Sequence, residues 1–153
     1  MLASLLIAAA ASPAPPAAER SAIFTAAGFV RRGVDWRTRN CEGMEGASYT
    51  PGAIDDYRDL NGDGHPEAVV SEGSSNCYGN TETHFWLLSK QASGTWKLIY
   101  NETAVPEFLK SKGVGGWPDI LLGGPGFCFP VLRWNGKAYV DHGQQYEGKP
   151  CRF

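Results

Sequence analysis

Residues 59–67 read Asp-Leu-Asn-Gly-Asp-Gly-His-Pro-Glu, so the oxygen-bearing side chains of Asp59, Asn61 and Asp63 fall on alternate positions. A calcium ion takes about six to eight hard oxygen ligands from a flexible loop, and alternate side chains in a tight turn supply them. With Asp59 as position 1, Asn61 and Asp63 stand at 3 and 5, Gly64 at 6 permits the sharp turn, His65 at 7 offers its backbone carbonyl, and Glu67 at 9 closes the shell. The carboxylates of Asp59, Asp63 and Glu67, crowded this closely, repel one another unless a cation intervenes. Position 12 is Val70, not the bidentate Glu of a helix-loop-helix site. The flanks, Ala53-Ile-Asp-Asp-Tyr57 and Glu67-Ala-Val-Val-Ser71, read as strands. The expectation is therefore a calcium loop between two strands. A hairpin loop of Asx-turns is the plainer alternative, because Asp and Asn favour turns without any metal.

The run from Asp59 to Glu67 followed by Ala68-Val-Val resembles the calcium loop of FG-GAP and VCBS-type repeats, the integrin-like β-propeller units. That resemblance implies side-chain ligation by Asp59, Asn61, Asp63 and Glu67, with His65 ligating through its carbonyl. Those repeats usually close the loop with Asp where this chain has Glu67. The likeness covers only the loop and the start of the next strand. The loop occurs once, and a chain of 153 residues is too short for a propeller of several four-stranded blades. The chain as a whole is also similar to small exported bacterial proteins that pair one such loop with a late Arg-Trp-Asn-Gly hairpin.

Other groups suit catalysis less well. His65, His84 and His142 lack the i, i+4 spacing of a helical zinc motif, and none stands in a nucleophile signature. Asp119 beside Trp117 is the best carboxylate-and-aromatic pair for a sugar, with Glu72 as a second carboxylate for a hydrolase acting on glycans or peptidoglycan. The glycine-rich segment 113–126 has no amphipathic helix after it and is no phosphate cradle. It either lets Trp117 and Phe127 face a ligand or lets strands bend at a sheet corner.

The elements that must hold these residues read mainly as β. Nineteen glycines and ten prolines point away from a helical bundle. Ile23, Phe24 and Ala27 have helical spacing and Gly28 follows, which predicts one short helix over 19–27. Downstream, Thr83-His-Phe-Trp-Leu-Leu-Ser-Lys90 and Thr95-Trp-Lys-Leu-Ile-Tyr100 flank a polar connection ending in Gly94, a predicted hairpin. Asn135-Gly136 predicts a second, with positive φ at both turn positions. The expected fold is antiparallel hairpins forming a sandwich or curled sheet, with one N-terminal helix packed on it.

The apolar run at the N-terminus, closing in small residues, reads as a secretory signal over 1–11, although no Lys or Arg precedes it. Residues 12–18 then read as a disordered Pro/Ala linker and 19–153 as a single domain. Cys41, Cys77, Cys128 and Cys151 are too widely spaced for a zinc knuckle; in an exported chain they imply two disulfides, of which Cys41 with Cys77 and Cys128 with Cys151 avoid crossing the chain. No stretch is long enough to span a bilayer, and a net charge of −2 without a basic stripe argues against nucleic acid. These features together suggest a periplasmic or secreted, calcium-stabilised, non-catalytic binding protein whose partner is a protein or an envelope glycan.

Overall fold

The computed structural model describes residues 13–153. The signal reading over 1–11 and Ser12 of the linker lie outside them. The first element is helix α1, Ala17–Ala26. It begins two residues before the predicted start and takes Ala17 and Ala18 from the segment read as linker. Pro16 sets that boundary, because it precedes the first turn, where its missing N–H costs nothing. Gly28, at φ 88, leaves the helix in the left-handed region as expected. A small hairpin follows, β1 (Val30–Arg32) with β2 (Asp35–Arg37).

The central sheet is antiparallel in the order β3 (Thr50–Arg58), β4 (Glu67–Gly73), β5 (Thr83–Lys90), β6 (Trp96–Glu102). Helix α2, Ser75–Tyr78, bridges β4 and β5 and is capped by the Ser74 hydroxyl, which accepts from the N–H groups of Asn76 and Cys77. The second sheet is also antiparallel and curls into a half-barrel. Along the chain it comprises β7 (Val105–Lys112), β8 (Pro118–Gly123), β9 (Phe129–Trp134), β10 (Tyr139–Tyr146) and the short β11 (Lys149–Pro150). Strands β7 and β11 form its two edges.

Three layers result. Ala68, Val70, Trp86 and Leu88 face one way and meet Ile23 and Phe24 of α1 and Ala27 just after it. Val69, Phe85 and Leu87, one residue out of phase, face the other way and meet Ile120 and Leu132 of the half-barrel together with Trp117 and Tyr139. This two-sided burial explains why β4 and β5 read as continuous apolar runs instead of alternating ones. Phe24 and Phe85 are fully buried, each worth roughly 1.5–3 kcal/mol of transfer free energy. Glu19 fastens α1 to the sheet: its carboxylate accepts from Lys90 Nζ and Trp96 Nε1, both at 2.7 Å. These bonds, led by that from Lys90, hold its pKa below the usual glutamate range. Trp86 lies in the core beneath α1 with Trp96 packed against it, and Trp134 packs against the inter-sheet core.

The Asn135-Gly136 connection differs from expectation. Gly136 has φ 100, but Asn135 is not in the left-handed region. Strand pairing stops at Trp134 with Tyr139, so the loop is residues 135–138. The Asn135 side-chain oxygen accepts from the N–H groups of Lys137 and Ala138, and this side-chain turn replaces the two-residue turn.

Cys41 pairs with Cys77 and Cys128 with Cys151, with Cα separations of 5.4 and 5.6 Å. The first ties the chain after β2 to α2. The second ties the start of β9 to the C-terminal segment. No helix among the described residues is long and apolar enough to cross a membrane. The bridges join residues 36 and 23 apart in sequence. Each is expected to contribute ~3–4 kcal/mol through the unfolded state. Calorimetry with and without reductant, on wild type and on Cys41→Ser/Cys77→Ser, should show each bridge contributing separately.

Candidate metal centre

The Asp-rich loop, residues 59–66, is the connection between β3 and β4, and the ladder closes beneath it with Arg58 opposite Glu67. Its conformation follows from its own side chains. Asp59 spans the loop: Oδ1 accepts from Gly62 N–H at 2.8 Å and Oδ2 from Gly64 N–H at 2.9 Å. Asn61 Oδ1 accepts from Asp63 N–H at 3.0 Å, and Asp63 Oδ1 from His65 N–H at 2.8 Å. Each oxygen-bearing side chain thus turns onto backbone ahead of it, and Gly62 and Gly64, at φ 78 and 87, supply the left-handed steps that wind the chain around them.

Glu67 closes the loop from below. It is the first residue of β4, on the inter-sheet face, opposite Ser89 of β5. Its Oε2 accepts from Leu60 N–H at 2.7 Å, and its Oε1 from the Ser89 hydroxyl at 2.8 Å and, at 3.5 Å, from Asn61 Nδ2. The side chain is 1% exposed. Burial is the largest cause raising its pKa above the usual glutamate range; the Leu60 and Ser89 bonds oppose that shift, and the charges of Asp63 and Asp59 add to it. The loop therefore brings Asp59 and Asp63 within electrostatic reach of Glu67. No Lys or Arg forms an ion pair with them among the described residues, and the adjacent Arg58 turns to Asp56. Each carboxylate oxygen that accepts one N–H keeps further lone-pair capacity. As they stand, the described His, Cys, Asp and Glu side chains form no group of three or more close enough to hold a metal.

Two residues that shape this site carry no local sequence signal. Ser89 reaches Glu67 only through strand pairing. Gly116, in the turn between β7 and β8, lies so close to the loop that a Cβ there would stand 2.6 Å from the Asn61 carbonyl oxygen. The glycine-rich segment therefore receives the acidic loop, and Leu60 packs beside it against the inter-sheet core.

The other candidate carboxylates are engaged structurally and lie on different sheets. Asp119 of β8 is 1% exposed and takes a two-pronged bond from Arg133, Nε to Oδ1 at 2.9 Å and Nη2 to Oδ2 at 2.7 Å, with the Ser111 hydroxyl at 2.6 Å. Arg133 is the main cause holding its pKa below the usual aspartate range. Glu72 of β4 is buried and accepts from Thr38 N–H, Thr38 Oγ1, Tyr49 OH and Tyr78 OH. Burial, then that carboxylate, pushes both tyrosines upward. Trp117 is packed against Trp134 and Tyr139 in the core, whereas Phe127 is 55% exposed. His84 bonds Thr103 and Asn101, and His142 lies on the half-barrel. No family model matches this chain, and comparisons with curated proteins and with solved structures find no match either.

Two outcomes follow. Gly115 and Gly116 both have positive φ, but only Gly116 faces Asn61. Gly115→Ala should cost about 1 kcal/mol of left-handed strain. Gly116→Ala should cost roughly twice that, because it also displaces the loop carbonyl; chemical denaturation of both variants measures the difference.

For Asp119, the folded pKa is depressed, so the ion pair's contribution is present above the unfolded value and lost as pH falls through the folded one. Asp119→Asn keeps the shape but turns an amide donor toward Arg133 and Ser111. It should cost about 3 kcal/mol at pH 7 and flatten the loss of stability below about pH 4. Urea melts from pH 2 to 7 check both.

Proposed function

We propose that this chain is an exported, periplasmic or secreted binding protein whose fold is stabilised by calcium and which performs no catalysis. The observation that carries the reading is the loop itself. Asp59, Asn61 and Asp63 are wound onto one turn, and the buried Glu67 closes it with no ion-pair partner among the described residues. Carboxylates so placed oppose folding by mutual repulsion, and a divalent cation removes that cost while taking the remaining lone pairs and the His65 carbonyl as ligands. This is the ligand set that the likeness to FG-GAP and VCBS loops implies. The two disulfides support an oxidising compartment. The engagement of Asp119 and Glu72 by separate sets of donors supports a binding role over glycoside hydrolysis, which needs two carboxyl groups flanking one bond.

Calcium at a hundred times its Kd should add about 2.7 kcal/mol to the unfolding free energy. Melting curves in millimolar calcium and in excess chelator measure this directly. Asp63→Ala should abolish the response; Asp119→Asn should melt lower in both media yet keep the calcium increment. An identical wild-type melting temperature in both media would reduce the loop to a set of Asx-turns.

A further inference from the structure

The half-barrel has an open side. Strand β7 pairs only with β8 and β11 only with β10, so two sheet edges are left without strand partners among the described residues. A groove of about 680 Å³ runs between them. Val105, Glu107 and Leu109 of β7 form one wall, and Tyr146 with the Glu147-Gly148 turn forms the other. Its floor is Leu121 and Phe129. Ile120 and Leu132 face the inter-sheet core, so Leu121 and Val131, one residue along, face the inside of the curl. The groove is thus a second interior, walled by β-strands and apolar at its base, in the volume range of ligand sites.

Its surroundings continue the apolar surface. Phe127, Tyr146 and Phe153 are 55%, 42% and 85% exposed, and Phe127 rests against the other two, with ring centroids 6.1 and 5.5 Å apart. Val105, on the opposite wall, is 51% exposed. Exposed aromatic and aliphatic groups clustered in this way mark interaction surfaces in soluble proteins. The charged residues lining the groove are both acidic, Glu107 and Glu147.

We propose that the groove between β7 and the β10–β11 turn binds an extended polypeptide segment that carries apolar side chains and at least one Lys or Arg. Three features select this occupant. Apart from the N–H that Pro106 lacks, the β7 edge offers main-chain donors and acceptors at the regular spacing that an added strand matches and the hydroxyls of a sugar do not. The aliphatic lining, Val105 and Leu109 on the wall with Leu121 on the floor, suits alternate apolar side chains of a strand. The acidic walls complement a basic residue and reject an acidic one. This deepens the binding reading by naming its partner, and it does not depend on the calcium loop.

The test is a titration of the isotopically labelled full chain with acetyl-Val-Lys-Val-Lys-Val-amide, followed by amide chemical shifts in millimolar calcium. Shifts should concentrate in residues 105–109 and 145–148. The Val/Glu counterpart should bind about ten-fold more weakly, and Glu107→Gln and Glu147→Gly should each weaken the Val/Lys peptide about three-fold, the scale of exposed ion pairs. Glu147 has φ 49, so glycine there keeps the turn and should not lower the melting temperature. A Val/Lys peptide N-methylated on alternate amides should lose binding. Equal binding of the N-methylated or Val/Glu peptides would overturn the proposal, as would shifts elsewhere or self-association through this groove. Chitotetraose binding in place of peptide would overturn the peptide assignment and leave the binding reading standing. No binding of any probe would overturn the assignment and remove the groove's support for the binding reading, leaving the calcium response as a separate question.

Discussion

Strands β4 and β5 are buried on both faces, and the positions of nearly all other elements follow from that. A sheet with one wet face would need only one covering layer; here Val70 and Trp86 require α1 on one side while Val69, Phe85 and Leu87 require the half-barrel on the other. Polar groups at the ends of these strands then have little access to water and must find partners. Glu67 at the start of β4 finds Leu60 and Ser89, and Glu72 near its end finds Thr38, Tyr49 and Tyr78. The two carboxylates differ in what the surrounding chain supplies. Around Glu72 the donors are numerous and include three hydroxyls. Around Glu67 two further acids crowd in, and burial opposes its charge.

That contrast separates a fully satisfied carboxylate from a crowded one in the same strand. A carboxylate satisfied by four donors has little left to offer a ligand, and Asp119, held by Arg133 and Ser111, is equally committed. The loop acids instead accept backbone N–H groups of their own turn, which fixes their positions without neutralising them. A cation bound there would act on the edge of the inter-sheet core, because Leu60 packs into that core and Gly116 holds the neighbouring turn against Asn61. Stability gained at the loop would thereby extend to the joint between the two sheets.

The half-barrel solves a different problem. Five strands that curl but do not close leave two edges and a concave apolar surface. The Cys128–Cys151 bridge ties the start of β9 to the segment after β11, which limits how far that rim can relax. A groove whose rim is covalently restrained loses little entropy on receiving a partner, which favours recognition by a preformed surface.

The sequence by itself determined whatever depends on neighbours along the chain. The α1 periodicity and its glycine stop, the strand pair flanking the acidic loop, and the Gln91–Gly94 hairpin were legible because helical and strand spacing and turn chemistry are local. The disulfide pairs were legible only as the arrangement with the fewest chain crossings. The Asn135 turn was misjudged locally, since its side chain offered the backbone a second solution that pattern alone does not rank. Tertiary structure alone decided which carboxylates are spent. Asp119 and Glu72 looked like free acids in sequence because Arg133 lies fourteen residues from Asp119, and Thr38 thirty-four from Glu72. Ser89 and Gly116 entered the acidic loop's environment, and β7 came to face the β10–β11 turn across a groove, only when sheets stacked and curled. Burial and long-range pairing arise from the packing of whole layers, and no window of sequence contains them.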